Sequence, residues 1–174
     1  MNGLAFLLVL LQPASVSCPI ERSVYQLSSD PAFTAGFAPQ DPHLAFYSDL
    51  AVWLRTPRRT YWFSLESPSG QGGTYLVPSV DPRTAAAVDD APRDADEGQE
   101  APLRIAFDVF GADLGPWPAP PRRGDPAPAF LFARDLGPAL WYDWVRLAAG
   151  DRSAAQEVMP VGTFRPMACD TGAG

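Results

Sequence analysis

The sequence predicts a mainly β domain, an antiparallel sandwich or a partly open barrel, with one C-terminal α-helix. Three observations point there. Several short segments alternate apolar and polar residues with the period of two that a half-buried strand requires. Only one segment, ending at Gly150, repeats its apolar residues at helical spacing. A chain of 174 residues, 47% hydrophobic and 19% charged, supplies one core without calling for a second.

The elements follow in order. Val24 to Leu27 and Phe33 to Phe37 read as extended, separated by the turn-forming cluster Ser28-Ser29-Asp30-Pro31, with Gly36 placed to mark a bulge. Leu50 to Arg55 is a strand with Leu50, Val52 and Leu54 on one face and Ala51, Trp53 and Arg55 on the other. Pro57-Arg58-Arg59 turns the chain into a second strand, Thr60 to Ser67, whose Tyr61, Phe63 and Leu65 oppose Trp62 and Ser64. The two form a hairpin. A Gly-rich loop then leads to Thr74 to Val80, where Pro78 cannot donate to a ladder and so marks an edge or an ending.

Residues 81–102 lose their aromatics and gain Ala, Asp and Pro, the composition of a mobile acidic loop. Leu103 to Phe110 restores strict alternation and reads as a central strand. Residues 115–128 hold six prolines and should run stiff and extended. Phe130 to Phe132 is a short strand. From Pro138, Leu140, Trp141, Trp144, Val145 and Ala148 repeat at helical spacing and should lay a Trp-rich stripe on the sheet. Val158 to Val161 and Phe164 to Cys169 complete the chain as extended segments.

Residues 4–11 are an apolar run shorter than a membrane span, followed by small residues ahead of Cys18. The reading is a signal peptide over residues 1–17 and a single exported domain over residues 18–174, periplasmic or extracellular, with no transmembrane span in the mature chain. Cys18 and Cys169 bracket that domain, and an oxidising compartment favours a disulfide between them. The competing reading makes Cys18 the lipid-bearing first residue of a membrane-anchored lipoprotein, since Ser15-Val16-Ser17-Cys18 resembles a lipobox, although the usual Leu is missing.

All 13 basic residues are Arg, against 20 acids, and the net charge is −7. That balance argues against nucleic acid, whose phosphates demand a concentrated basic surface. Residues 81–100 hold a net five of the excess negative charges.

No catalytic, cofactor or metal signature emerges. His43 is the only histidine and no nucleophile motif accompanies it. Asp94, Asp96 and Glu97 offer hard oxygen ligands, but Gly98 stands where a calcium loop needs its next oxygen. Asp49, Glu66, Asp108, Asp135 and Asp143 lie in or beside ordered elements, the minimum that carboxylate-dependent hydrolysis of an envelope polymer would need. The leading expectation is a non-enzymatic binding or envelope-associated module for a cell-envelope glycan, peptide or protein. Its candidate binding residues are Trp53 and Trp62, an aromatic platform unless the Trp144 stripe covers them, and Arg58 and Arg59, a pair able to grip a carboxylate. Arg122 and Arg123 form a second such pair in the Pro-rich loop.

Overall fold

The computed structural model describes residues 18–40, 48–67, 73–84, 101–117, 120–148 and 151–170. The strands are β1 (Ser23–Leu27), β2 (Asp30–Pro39), β3 (Leu50–Arg55), β4 (Thr60–Glu66), β5 (Thr74–Ser79), β6 (Ile105–Phe110), β7 (Phe130–Phe132) and β8 (Phe164–Cys169). Each pairs antiparallel with the next in sequence, and β8 returns to β1, so the eight close into an up-and-down barrel. The sheet that the sequence left as a sandwich or a partly open barrel is therefore closed.

Closure is uneven. Five residue pairs join β8 to β1, from Ser23↔Cys169 to Leu27↔Phe164. Leu131↔Phe164 is the one pair between β7 and β8. The Cys18–Cys169 disulfide, with Cα atoms 5.8 Å apart, fastens the chain just before β1 to the end of β8.

Alternation builds the core. On β4, Tyr61, Phe63 and Leu65 are buried and point inward, while Thr60, Trp62, Ser64 and Glu66 face out. β6 repeats the pattern with Ile105, Phe107 and Val109. Eight strands enclose a space that side chains can nearly fill. A void of about 10 Å³ among Ala35, Val52, Phe63, Leu76, Phe107 and Leu136 remains, the room of one water and lined without polar atoms.

Both mouths are stoppered. At one, helix α1 (Leu136–Tyr142), followed by α2 (Trp144–Leu147), buries Leu136, Ala139, Leu140 and Leu147. At the other, a single 3-10 turn (Ile20–Arg22) inserts Ile20, fully buried, under the Pro-rich segment. Residues with few backbone donors cannot form a ladder of their own, so that segment is pinned from outside. The Ala127 amide donates to the Cys18 carbonyl and the Ile20 amide to the Asp125 carbonyl, both at 2.9 Å, and the Tyr25 hydroxyl reaches the Pro128 carbonyl at 3.0 Å.

Several local expectations are corrected. The helix starts at Leu136, not Pro138, which sits in the first turn where its missing N–H has no helical partner to lose. It breaks at Asp143, where α2 follows. Its buried stripe runs through Leu136, Ala139 and Leu140. Trp141 lies a step round the helix and is 40% exposed, so the Trp-rich stripe is not the packing face. Gly36 makes no bulge and pairs regularly with Val24 and Trp53. The register slips instead at Gln26/Leu27 and Val24/Tyr25. Residues 158–161 form no strand. Pro78 pairs with Phe63 of β4, and the β5–β6 ladder spans only Thr74 to Leu76, so Pro78 lies beyond it and no donor is missed there. Residues 1–17, His43 with Asp41, and residues 85–100 of the acidic loop lie outside the described residues.

Candidate functional site

The four candidate binding residues share one hairpin, β3–β4, but serve two surfaces. Trp53 and Trp62 stand opposite each other on the outer wall. They continue a lateral row through Gly36 and Val24, since Trp53 pairs with Gly36 and Gly36 with Val24. The indole of Trp53 lies across the backbone of Gly36, where a Cβ would overlap the ring. That contact, not a bulge, is what glycine permits. The Arg55 guanidinium lies 5.6 Å from the Trp53 ring centre and that of Arg83 lies 5.3 Å from Trp62, so each ring carries a cation. Arg83 is itself held by Asp81 at 2.6 Å, which keeps that carboxyl below the usual range.

Arg58 and Arg59 sit at the hairpin tip, beside the mouth stoppered by the helices. Thr56 forms the tip: its hydroxyl accepts the amides of Arg58 and Arg59, each at 3.1 Å, a short side-chain turn that needs no glycine. Together with Thr60, Ser153, Ala154 and Glu157, the two arginines line an open groove of about 400 Å³.

Arg59 forms its spine. Its Nη1 meets Asp151 at 3.3 Å and its guanidinium stacks 5.3 Å from the Tyr61 ring. Its Nε is buried with no hydrogen-bond partner, the one such side-chain atom among the described residues. A buried donor left unmet costs on the order of 1–3 kcal/mol. Tyr61 donates its hydroxyl to Glu157 Oε1 at 2.9 Å, and Glu157 is 6% exposed. Burial, then the adjoining carboxylate, pushes the Tyr61 phenol well above its ordinary value. Asp151 is held below the usual carboxylate range, first by the Ser153 hydroxyl and amide and then by Arg59. Among the described residues the Arg58 side chain has no partner, and neither has the second oxygen of Glu157.

The other charged candidates are spread out. Arg123 donates its backbone amide to Asp49 Oδ1 at 3.1 Å at the Pro-rich mouth, across the barrel from the Arg58 and Arg59 tip. Glu66 meets Arg104 at 3.3 Å, Asp135 meets Arg134 at 3.4 Å and Asp143 meets Arg146 at 3.3 Å. Asp108 is exposed on β6. Among the described residues no three acids, histidines or cysteines gather as metal ligands, and no helix is long and apolar enough to cross a membrane.

Sequence reasoning named Arg58 and Arg59 but not their partners across the groove. Ser153 and Glu157 are some 95 residues away in the chain, in a stretch without regular structure and therefore without periodicity to read. The described residues form a closed eight-stranded barrel with an open groove on the rim. Comparison with protein-family models, with curated proteins and with solved structures finds no match for this chain.

Proposed function

We propose that the protein is an exported, disulfide-closed binding module that recognises a cell-envelope component with its exterior, through the β3–β4 hairpin. One observation carries this reading. Barrels of this size that hold a ligand keep an internal cavity, whereas here the void that the described core residues line holds about 10 Å³, and Ile20 and Leu136 are buried at the two mouths. The groove at the hairpin tip, about 400 Å³, has the size of a small-molecule site. The disulfide supports the exported setting, because such bonds persist in oxidising compartments.

Tryptophan fluorescence during titration with peptidoglycan fragments tests the reading. A saturable change without released product is the expected result, since Trp53 and Trp62 lie on the same hairpin as the groove. Product that disappears in Asp108→Asn or Glu66→Gln would replace it with a carboxylate-dependent hydrolase.

A further inference from the structure

We propose that the groove between the β3–β4 tip and residues 153–157 binds a sugar carboxylate, a hexuronate or its equivalent at a chain end. The assignment rests on exterior recognition and names the ligand class. It follows from what the lining offers and leaves unused. Arg58 presents a guanidinium without a partner among the described residues, a planar fork matched to a carboxylate. Glu157 spends one oxygen on Tyr61 and keeps the other. Ser153 gives its proton to Asp151 at 2.6 Å and retains its lone pairs, and Thr60 adds a second hydroxyl at the wall.

A ligand that answers all of these carries an anion at one end and hydroxyls along its length. The carboxylate meets Arg58 and a hydroxyl donates to Glu157, while Arg59, its Nη1 on Asp151 and its Nε buried, frames the groove without bonding the ligand. A plain dicarboxylate has nothing to give Glu157 and is repelled by it. A neutral sugar leaves Arg58 without its oxyanion. A peptide carboxylate brings side chains, and the apolar lining among the described residues is Ala154 and Ala155, too small to form a pocket for them.

Calorimetry and amide chemical-shift mapping with glucuronate test the assignment on the whole exported chain, with glucose, glutarate and an N-acetylated dipeptide as comparators. Glucuronate should bind with a Kd on the order of 1 mM, with each comparator weaker by roughly tenfold. Shifts should centre on Arg58, Thr60 and Ser153 to Glu157. Arg58→Ala, an exposed change, should weaken binding by roughly tenfold with an unchanged circular dichroism spectrum, and Glu157→Gln, which keeps an acceptor for Tyr61, should weaken it less.

Absence of saturation, equal affinity for glutarate, tighter binding of the dipeptide, or an unaffected Arg58→Ala would each overturn the assignment. If glucuronate leaves the groove unmoved while peptidoglycan fragments still change the tryptophan signal, the groove assignment falls and the exterior-binding reading stands. Silence in both experiments removes both.

Discussion

Replacing Cys18 and Cys169 by Ser tests how much of the barrel depends on its clasp. The bridge spans a sequence separation of 151, so it constrains nearly the whole described chain in the unfolded state. Loop-closure entropy for that length comes to about 5 kcal/mol, and native disulfides deliver about 2–5 kcal/mol when measured. Typical domains hold only about 5–15 kcal/mol in total. The native side of the balance moves in the same direction, because Cys18 leads directly into the turn that inserts Ile20 and its carbonyl anchors Ala127. For a chain of this size each kcal/mol lowers Tm by about 2–4 °C, so the double variant should melt about 5–20 °C below the parent.

Denaturant titration of both proteins, with and without reductant, checks this. Reductant should shift the parent toward the variant and leave the variant where it is. Coincident midpoints would refute the entropic reasoning. Intact mass of chain recovered from an exporting cell tests the bond itself: a disulfide removes two hydrogens, whereas a diacylglyceryl thioether on Cys18 would place the lipid on the same sulfur and exclude the bridge.

Further outcomes follow from the packing. Tyr61→Phe strips the buried Glu157 carboxylate of its phenol donor and should cost about 1.5–3 kcal/mol in denaturant unfolding, whereas an unchanged midpoint would mean that water replaces the hydroxyl. Gly36→Ala drives a methyl group into the Trp53 ring and to 2.9 Å from the Ser23 carbonyl, so a loss of about 1–3 kcal/mol with a shifted tryptophan emission is expected. Leu136→Ala enlarges the existing void beneath the helical stopper and should cost about 2–5 kcal/mol by the same measurement. Burial raises the phenols of Tyr25 and Tyr61 above their ordinary value, so their neutral forms support folding fully below pH of about 10, where unfolded tyrosine ionises, and that support drains away as pH rises toward the folded values. An alkaline titration of phenolate absorbance should therefore find two of the five tyrosines silent until the barrel unfolds. Ionisation of all five near the ordinary value with the fold intact would contradict it.

The strands were legible where one face is buried and the other is wet. Tyr61, Phe63 and Leu65 against Trp62 and Ser64 announce β4, and Ile105, Phe107 and Val109 announce β6, because alternation is a local property. The neighbouring ends were legible from chemistry, since the two cysteines bracket the domain and were expected to pair, as they do. Closure was not legible, because it depends on which edges meet once every strand has twisted, and no short window of sequence records that.

The helix misled for a different reason. Trp141 and Trp144 are large and suitably spaced, but the stopper needs small and aliphatic residues to enter the mouth, so Leu136, Ala139 and Leu140 take the inner face. Likewise, Gly36 carried the signature of a bulge and turned out to be the floor beneath an indole. Of the groove, the two arginines could be read because they stand next to each other. The acceptors they face come from a stretch that only the folded chain brings near.

The single Leu131↔Phe164 pair gives the barrel a preferred line of opening. The sulfur bond ties β8 to β1 and does nothing for the β7 side, so thermal fluctuations should part the wall there first, like a cylinder slit along one stave. Slow isotope exchange at the amides of β3 and β4, each laddered on both flanks, set against faster exchange at those β8 amides that face β7 and not β1, would trace that slit.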